Sequence, residues 1–202
     1  MREIYILDLD DTLFPTTYYL EQNFMEDYIG KLSRIIYRIV YEIISDNEKT
    51  LYVVSNASKD WATIVLSFLN EKVSDIIRPR LICVPYEYID RDDKMLNNEL
   101  TVELTALKYN TFKKIIKETF NTEINSNSPK QVISIGDSEI ERTAIFHVMT
   151  DKEFSNILFK NIKLQEKPTP NVLIEQLKAV KIALPDILNI DKSIFTRTMS
   201  KS

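Results

Sequence analysis

Residues 3–14 read EIYILDLDDTLF. A continuous apolar, β-branched run leads into Asp8, Asp10 and Asp11, then turns apolar again at Leu13 and Phe14. A strand pattern without polar alternation is that of a strand buried on both faces, which places it in a parallel sheet covered by helices on either side. The aspartates at its end are an electrostatic problem. Like charges this close repel, and burying an unpaired carboxylate costs several kcal/mol or forces it to take up a proton. Either the turn is solvated and carries nothing, or something positive arrives there.

The rest of the chain alternates strand and helix. From Thr17 to about Ser45, Phe24, Tyr28, Leu32, Ile35, Ile36, Ile39, Val40, Ile43 and Ile44 recur at helical spacing, giving one long helix or two joined near Gly30. TLYVVS (50–55) is a second buried strand, and Ser58 is placed to cap a helix over Lys59–Asn70. RLICVP (80–85) reads as a third strand, and residues 86–100 read mostly as loop. A helix over Glu103–Phe120 precedes a fourth strand, QVISIGD (131–137), and a short helix over Glu139–Met149 precedes a fifth, NILFKNIKL (156–164). Asn171–Leu184 is the last helix, and residues 191–202 read as a frayed tail. The expected fold is α/β: a Rossmann-like three-layer sandwich with a five-stranded, mainly parallel sheet, forming one domain over residues 1–190. Ligands in such sheets bind beyond the carboxyl ends of the strands, near the topological switch.

Composition narrows the function classes. The chain has 202 residues, 44% of them hydrophobic, enough for a real core in a single domain. A net charge of −4 argues against a general nucleic-acid coat or a membrane-surface protein, while leaving room for a local basic groove. Cys83 is alone, so no intramolecular disulfide forms, and the thiol lacks the sequence surroundings of a cysteine-phosphatase loop. Gly30 and Gly136 are the only glycines, too few for a glycine-rich phosphate loop. His147 is the only histidine, which removes zinc sites built on several histidines. No stretch reaches the roughly 18 apolar residues of a spanning helix, and the first apolar run is too short for a signal peptide, so a soluble, cytoplasmic protein is expected.

At the expected strand tops stand Asp8 and Asp10, then Ser55 and Asn56, then Gly136, Asp137 and Ser138 with Glu139 and Glu141 just after. Lys108 lies in the helix before the fourth strand. Each alone is an ordinary turn or cap residue; together they offer carboxylates, a hydroxyl, an amide and an ammonium at one sheet edge. Asp8 and Asp137 suit a hard cation such as Mg²⁺, which takes oxygen ligands and a substrate phosphate. Asp8 can then attack phosphorus, Asp10 can move the proton, and Ser55 and Lys108 can hold phosphoryl oxygens.

In this arrangement the chain resembles the haloacid dehalogenase (HAD) superfamily of Mg²⁺-dependent phosphohydrolases. The apolar strand with DxDxT matches Asp8, Asp10 and Thr12; the strand ending in a hydroxyl residue matches Ser55 in YVVSN; the lysine matches Lys108 in LKYNTF; the strand ending in GD matches Gly136 and Asp137. The resemblance spans residues 4–141 and implies phosphate monoester hydrolysis through an aspartyl-phosphate. It makes Asp8 the nucleophile, Asp10 the general acid/base, and Asp8, the Asp10 carbonyl and Asp137 the Mg²⁺ ligands. Thr12, Ser55, Asn56 and Lys108 would bind the phosphate. Lys94, Lys113 and Lys130 compete with Lys108, and Glu141 stands where an aspartate is more usual, with an arm long enough to act through water.

HAD enzymes choose substrates largely through inserted caps. Here the helical segment 17–46 leaves room for at most a minimal cap, so an open site is expected, suited to a small or macromolecular phosphorylated substrate. Nucleic acid would enter only as a phosphorylated end. Tyr18, Tyr19, Tyr86 and Tyr88 with Arg78, Arg80 and Arg91 are candidates to flank the site, though an ordinary rim role is the stronger reading. Asp11 is expected to be a solvated bystander, and Trp61 to be core or amphipathic cover. The alternative function is a non-catalytic HAD-like scaffold that binds a phosphorylated partner. A signalling receiver domain is disfavoured because its phosphorylated aspartate normally ends the third strand.

Overall fold

The structure, a computed structural model, describes residues 1–22, 26–84, 96–121, 124, 126 and 128–198. The opening apolar run forms β1 (Arg2–Leu7), buried along nearly its whole length. It is followed by α1 (Thr16–Gln22), a short 3-10 turn at Glu26–Tyr28 and α2 (Ile29–Ile44). Then come β2 (Lys49–Ser55), α3 (Lys59–Phe68), α4 (Glu71–Ile77) and β3 (Leu81–Cys83). The second half consists of α5 (Leu96–Phe120), β4 (Lys130–Gly136), α6 (Glu139–Thr150), β5 (Leu158–Lys163), α7 (Pro170–Leu188) and β6 (Ile194–Arg197).

The strands form a single sheet in the order β3-β2-β1-β4-β5-β6, and every neighbouring pair is parallel. The chain winds outward from β1 in one direction and from β4 in the other, so the topological switch lies between these two strands. Side chains alternate between two cores. Tyr5, Leu7, Leu51, Val53, Ile133 and Ile135 face the layer of α2, α3, α4 and α7, whereas Ile4, Ile6, Val132 and Phe159 face α5 and α6. The helical segment expected over 17–46 is divided, and its long part, α2, lies in the core layer with Leu32, Ile35, Ile36, Ile39, Val40 and Ile43 buried.

Three expectations change. The sheet has six strands, not five, because Ile194–Arg197, read as frayed tail, pairs with β5 from Lys160↔Ile194 to Lys163↔Arg197. Four residues are too few to show a period, and what holds them is the β5 edge together with Phe195, which packs edge-on against Phe146. Within the stretch read as loop, residues 96–100 already belong to α5. The helix expected over Lys59–Asn70 ends at Phe68, and Asn70 instead caps α4 by accepting the Lys72 N–H.

The last crossover is unusual. From β5 to β6 the chain passes through α7, on the same face as α2, α3 and α4, although the sheet grows there in the opposite direction from β1–β2–β3. Its hand is therefore opposite to that of the crossovers building the first half, and left-handed parallel crossovers are rare.

Candidate active site

Strand pairing delivers the first carboxylate. The Asp8 N–H still bonds the Ile135 carbonyl at 2.9 Å, so Asp8 leaves the sheet beside the end of β4, where Asp137 also emerges. The chain then turns tightly: the N–H groups of Leu13 and Phe14 both reach the Leu9 carbonyl, at 2.8 and 3.0 Å. Asp11 takes φ 53°, a left-handed conformation that aspartate tolerates better than most residues. Its carboxylate accepts the Thr17 N–H at 2.9 Å and the Thr17 hydroxyl at 2.5 Å. Expected to be solvated, Asp11 is instead 8% exposed and fastens the loop to the first turn of α1.

The positive charge arrives from α5. Lys108 is 2% exposed, and its ammonium lies 2.6 Å from Asp8 Oδ1 and also donates to Glu141. The competing lysines are engaged elsewhere. Lys113 pairs with Asp151 at 2.5 Å, Lys130 donates to the Ser126 and Ser128 carbonyls at 2.7 and 2.8 Å, and Lys94 lies outside the described residues. The second oxygen of Asp8 has no hydrogen-bond partner among the described residues.

Glu141 completes the group. Its other oxygen accepts the Ser138 N–H at 3.0 Å, closing a capping box that starts α6. Gly136 makes room for this return: a Cβ there would stand 2.9 Å from Glu141 Cγ. Thr12, fully buried, donates to Asp137 Oδ1 at 3.2 Å. Lys163, at the top of β5, donates to the Asp137 carbonyl.

Asp8, Asp137 and Glu141 thus present oxygens that all lie within 4.8 Å of one another. Fully ionised, their three negative charges against the single Lys108 ammonium leave −2 in a buried space. Burial first, and that imbalance second, set how the group holds its protons. Burial raises the Asp8 carboxyl well above its ordinary range against the pull of Lys108, with Glu141 and Asp137 adding to the rise. Burial, then the Glu141 charge, raises Asp137 to about 7. Burial would lower the Lys108 ammonium, but Asp8 and Glu141 outweigh it and hold it above its ordinary value. A hard divalent cation fits this group on two counts, an all-oxygen donor set and a charge deficit of two.

Asp10 belongs to a second cluster, toward β2. Its carboxylate accepts the Ser55 hydroxyl at 2.8 Å, the Trp61 indole N–H at 2.8 Å and the Thr16 hydroxyl at 2.7 Å. The Asp10 side chain is not part of the three-carboxylate group, where Glu141 stands instead. Ser55 is fully buried and also accepts the Ala57 N–H at 2.9 Å. Asn56 gives its amide to the Val84 carbonyl at 3.2 Å, which braces the chain after β3.

Of the residues expected to meet, Asp8, Thr12, Lys108 and Asp137 do so around one centre, and Asp10 and Ser55 around the neighbouring one. Trp61, Thr16 and Lys163 were not expected. Trp61 follows Ser58, the cap of α3, by one turn, and that spacing aims it back toward the strand tops. Tyr19 packs with Phe14, Phe68 and Trp61 as an aromatic wall beside Asp10, and Arg80 turns away to the Ile76 carbonyl. Tyr86, Tyr88 and Arg91 lie outside the described residues. No protein-family model matches the chain, nor does any curated protein or solved structure.

Proposed function

We propose that this chain is a HAD-type, Mg²⁺-dependent phosphohydrolase that cleaves phosphate monoesters through an aspartyl-phosphate on Asp8. The observation that carries the reading is the contact of Lys108 with Asp8 inside a three-carboxylate group at the switch point of a parallel sheet. Asp8, Asp137 and Glu141 would hold the cation, which when bound supplies charge neutralisation for the phosphate and for the carboxylates around it. The order of strands and the four sequence motifs support the same assignment.

The residues divide the work. The free oxygen of Asp8 attacks phosphorus while the bond from phosphorus to the ester oxygen breaks, and Asp10 delivers the proton that the leaving alcohol needs. Water then attacks the aspartyl-phosphate, Asp10 takes its proton, and phosphate departs from a regenerated Asp8. Lys108 orients Asp8 and offsets charge on the transferring group. The Asp10 carboxylate is held by Ser55, Trp61 and Thr16, so its proton transfers begin from that position. Once the Ser55 hydroxyl is released from Asp10, it can donate to a phosphoryl oxygen.

The test is hydrolysis of a generic aryl phosphate. Turnover should need Mg²⁺ and vanish with EDTA, and Asp8→Asn should lower it at least about a thousandfold while leaving the unfolding transition in place. Binding of a phosphate mimic with no turnover in any of a broad panel of esters would favour a non-catalytic scaffold for phosphorylated partners.

A further inference from the structure

α2 and α7 pack side by side on one face of the sheet, and the groove along their outer seam is lined by Lys31, Arg34, Arg38, Lys178 and Lys181, with Ile35, Ile174 and Ile182 between them. It encloses about 410 Å³, and among the described residues no acidic side chain lines it, although the chain as a whole carries a net charge of −4. Lys178 is paired with Glu175 at 2.7 Å and Lys181 with Glu42 at 3.2 Å, both acids outside the lining. Lys31, Arg34 and Arg38 are exposed, stand at i, i+3 and i+7 on one face of α2, and have no acidic partner among the described residues.

The groove opens into an adjoining hollow that shares Arg38 and Lys181 and adds Tyr37, Tyr41, Ser45 and Glu42, whose single carboxylate is taken up by Lys181 and leaves Arg38, among the described residues, as the hollow's unpaired charge. The two tyrosine rings stack on each other with centroids 5.3 Å apart, and Tyr41 is half exposed. A concave row of cations next to an exposed aromatic stack is the combination that holds single-stranded nucleic acid: cations follow the phosphodiesters, and bases stack on the rings. A flat headgroup surface does not follow cations set in a groove, and an acidic peptide gives no role to the tyrosine stack. We propose that the α2–α7 seam binds single-stranded nucleic acid, with the backbone along Arg34 and Arg38 and a base on Tyr41. The proposal does not depend on the phosphohydrolase reading, since none of these residues belongs to the carboxylate site.

The experiment is fluorescence anisotropy of a labelled oligothymidylate with the full chain over a range of salt concentrations. Wild type should bind, with log affinity falling against log salt at a slope of about −2, from three unpaired cations at roughly −0.7 each. Arg34→Gln with Arg38→Gln should weaken binding at least tenfold and flatten the slope to about −0.7, the share of the one remaining cation. Tyr41→Ala should weaken it several-fold at unchanged slope. Lys31→Gln, a single exposed change at the third unpaired cation, provides a milder variant should the arginine pair perturb α2; it should weaken binding and reduce the slope by about 0.7, and circular dichroism reports folding for each. No binding by wild type, equal binding by the folded arginine variant, or co-sedimentation with anionic vesicles in place of oligonucleotide binding would overturn the proposal.

Discussion

Lys108 is the residue on which the buried charges depend. Breaking a buried ion pair by removing one partner costs about 3–5 kcal/mol, because the other charge is left uncompensated. Lys108→Met should therefore destabilise the metal-free protein by about that amount in urea unfolding, with part recovered on adding Mg²⁺. Asp137 gives a pH signature. Its native value of about 7 lies above the ordinary 3.8, so the native state keeps a proton that the unfolded chain has already released. The contribution of this group to metal-free stability is thus full at low pH, falls as pH rises from about 4 to about 7, and is flat above. Thermal unfolding across that interval should show the decline in wild type and a shallower one in Asp137→Asn. Because Mg²⁺ competes with the same proton, its stabilising effect should grow over the same range. Gly136→Ala, which sets a methyl against Glu141, should cost about 1–3 kcal/mol and weaken Mg²⁺ binding in calorimetry. At this scale the sequence was informative where a residue type has one chemical use: Asp8 and Asp137 were legible as paired oxygen donors, whereas Lys108 was favoured over Lys94, Lys113 and Lys130 by spacing alone, and Lys113 lies in the same helix. Trp61 and Thr16 were not, because their bonds to Asp10 depend on where α1 and α3 come to rest, which no local pattern encodes.

Among the elements, the C-terminal segment departs furthest from its sequence appearance. β6 is more than a paired edge. Lys160, fully buried on β5, gives its ammonium to the carbonyls of Ile190 and Lys192, the latter at 2.5 Å. Burial lowers the pKa of that ammonium, so the carbonyls are what make its charge tolerable. Removing residues 190–202, which takes away both carbonyls, should lower the thermal midpoint well beyond what trimming a frayed end would do, and Lys160→Met in the truncated chain should restore part of the loss. A similar shift in both truncated proteins would mean that the carbonyl cage is unimportant. The long strands and α2 were legible because unbroken apolar runs and a 3.6-residue period survive any context. β6 and the left-handed route through α7 were not, since a four-residue strand has no period and the hand of a crossover is set by packing.

At the level of the whole molecule, the site exists only because the sheet is wound as it is. Asp8, Lys108, Asp137 and Glu141 come from β1, α5, the end of β4 and α6, and they meet because β1 and β4 are neighbours with opposite directions of winding. The alternation of strands and helices made that meeting predictable from sequence; the division of the aspartates into two clusters was not, since it turns on the side-chain donors around Asp10. Among the described residues no helix is long and apolar enough to cross a membrane. The proposed reaction turns on Asp8 as the nucleophile, and trapping the covalent intermediate tests that most directly. The protein is mixed with Mg²⁺ and a phosphorus-labelled aryl phosphate, quenched in acid and digested. Label is expected on the peptide containing Asp8, released by hydroxylamine, increased in Asp10→Asn and absent from Asp8→Asn. Mg²⁺-dependent turnover with no such label, or label that persists in Asp8→Asn, would contradict a nucleophilic Asp8.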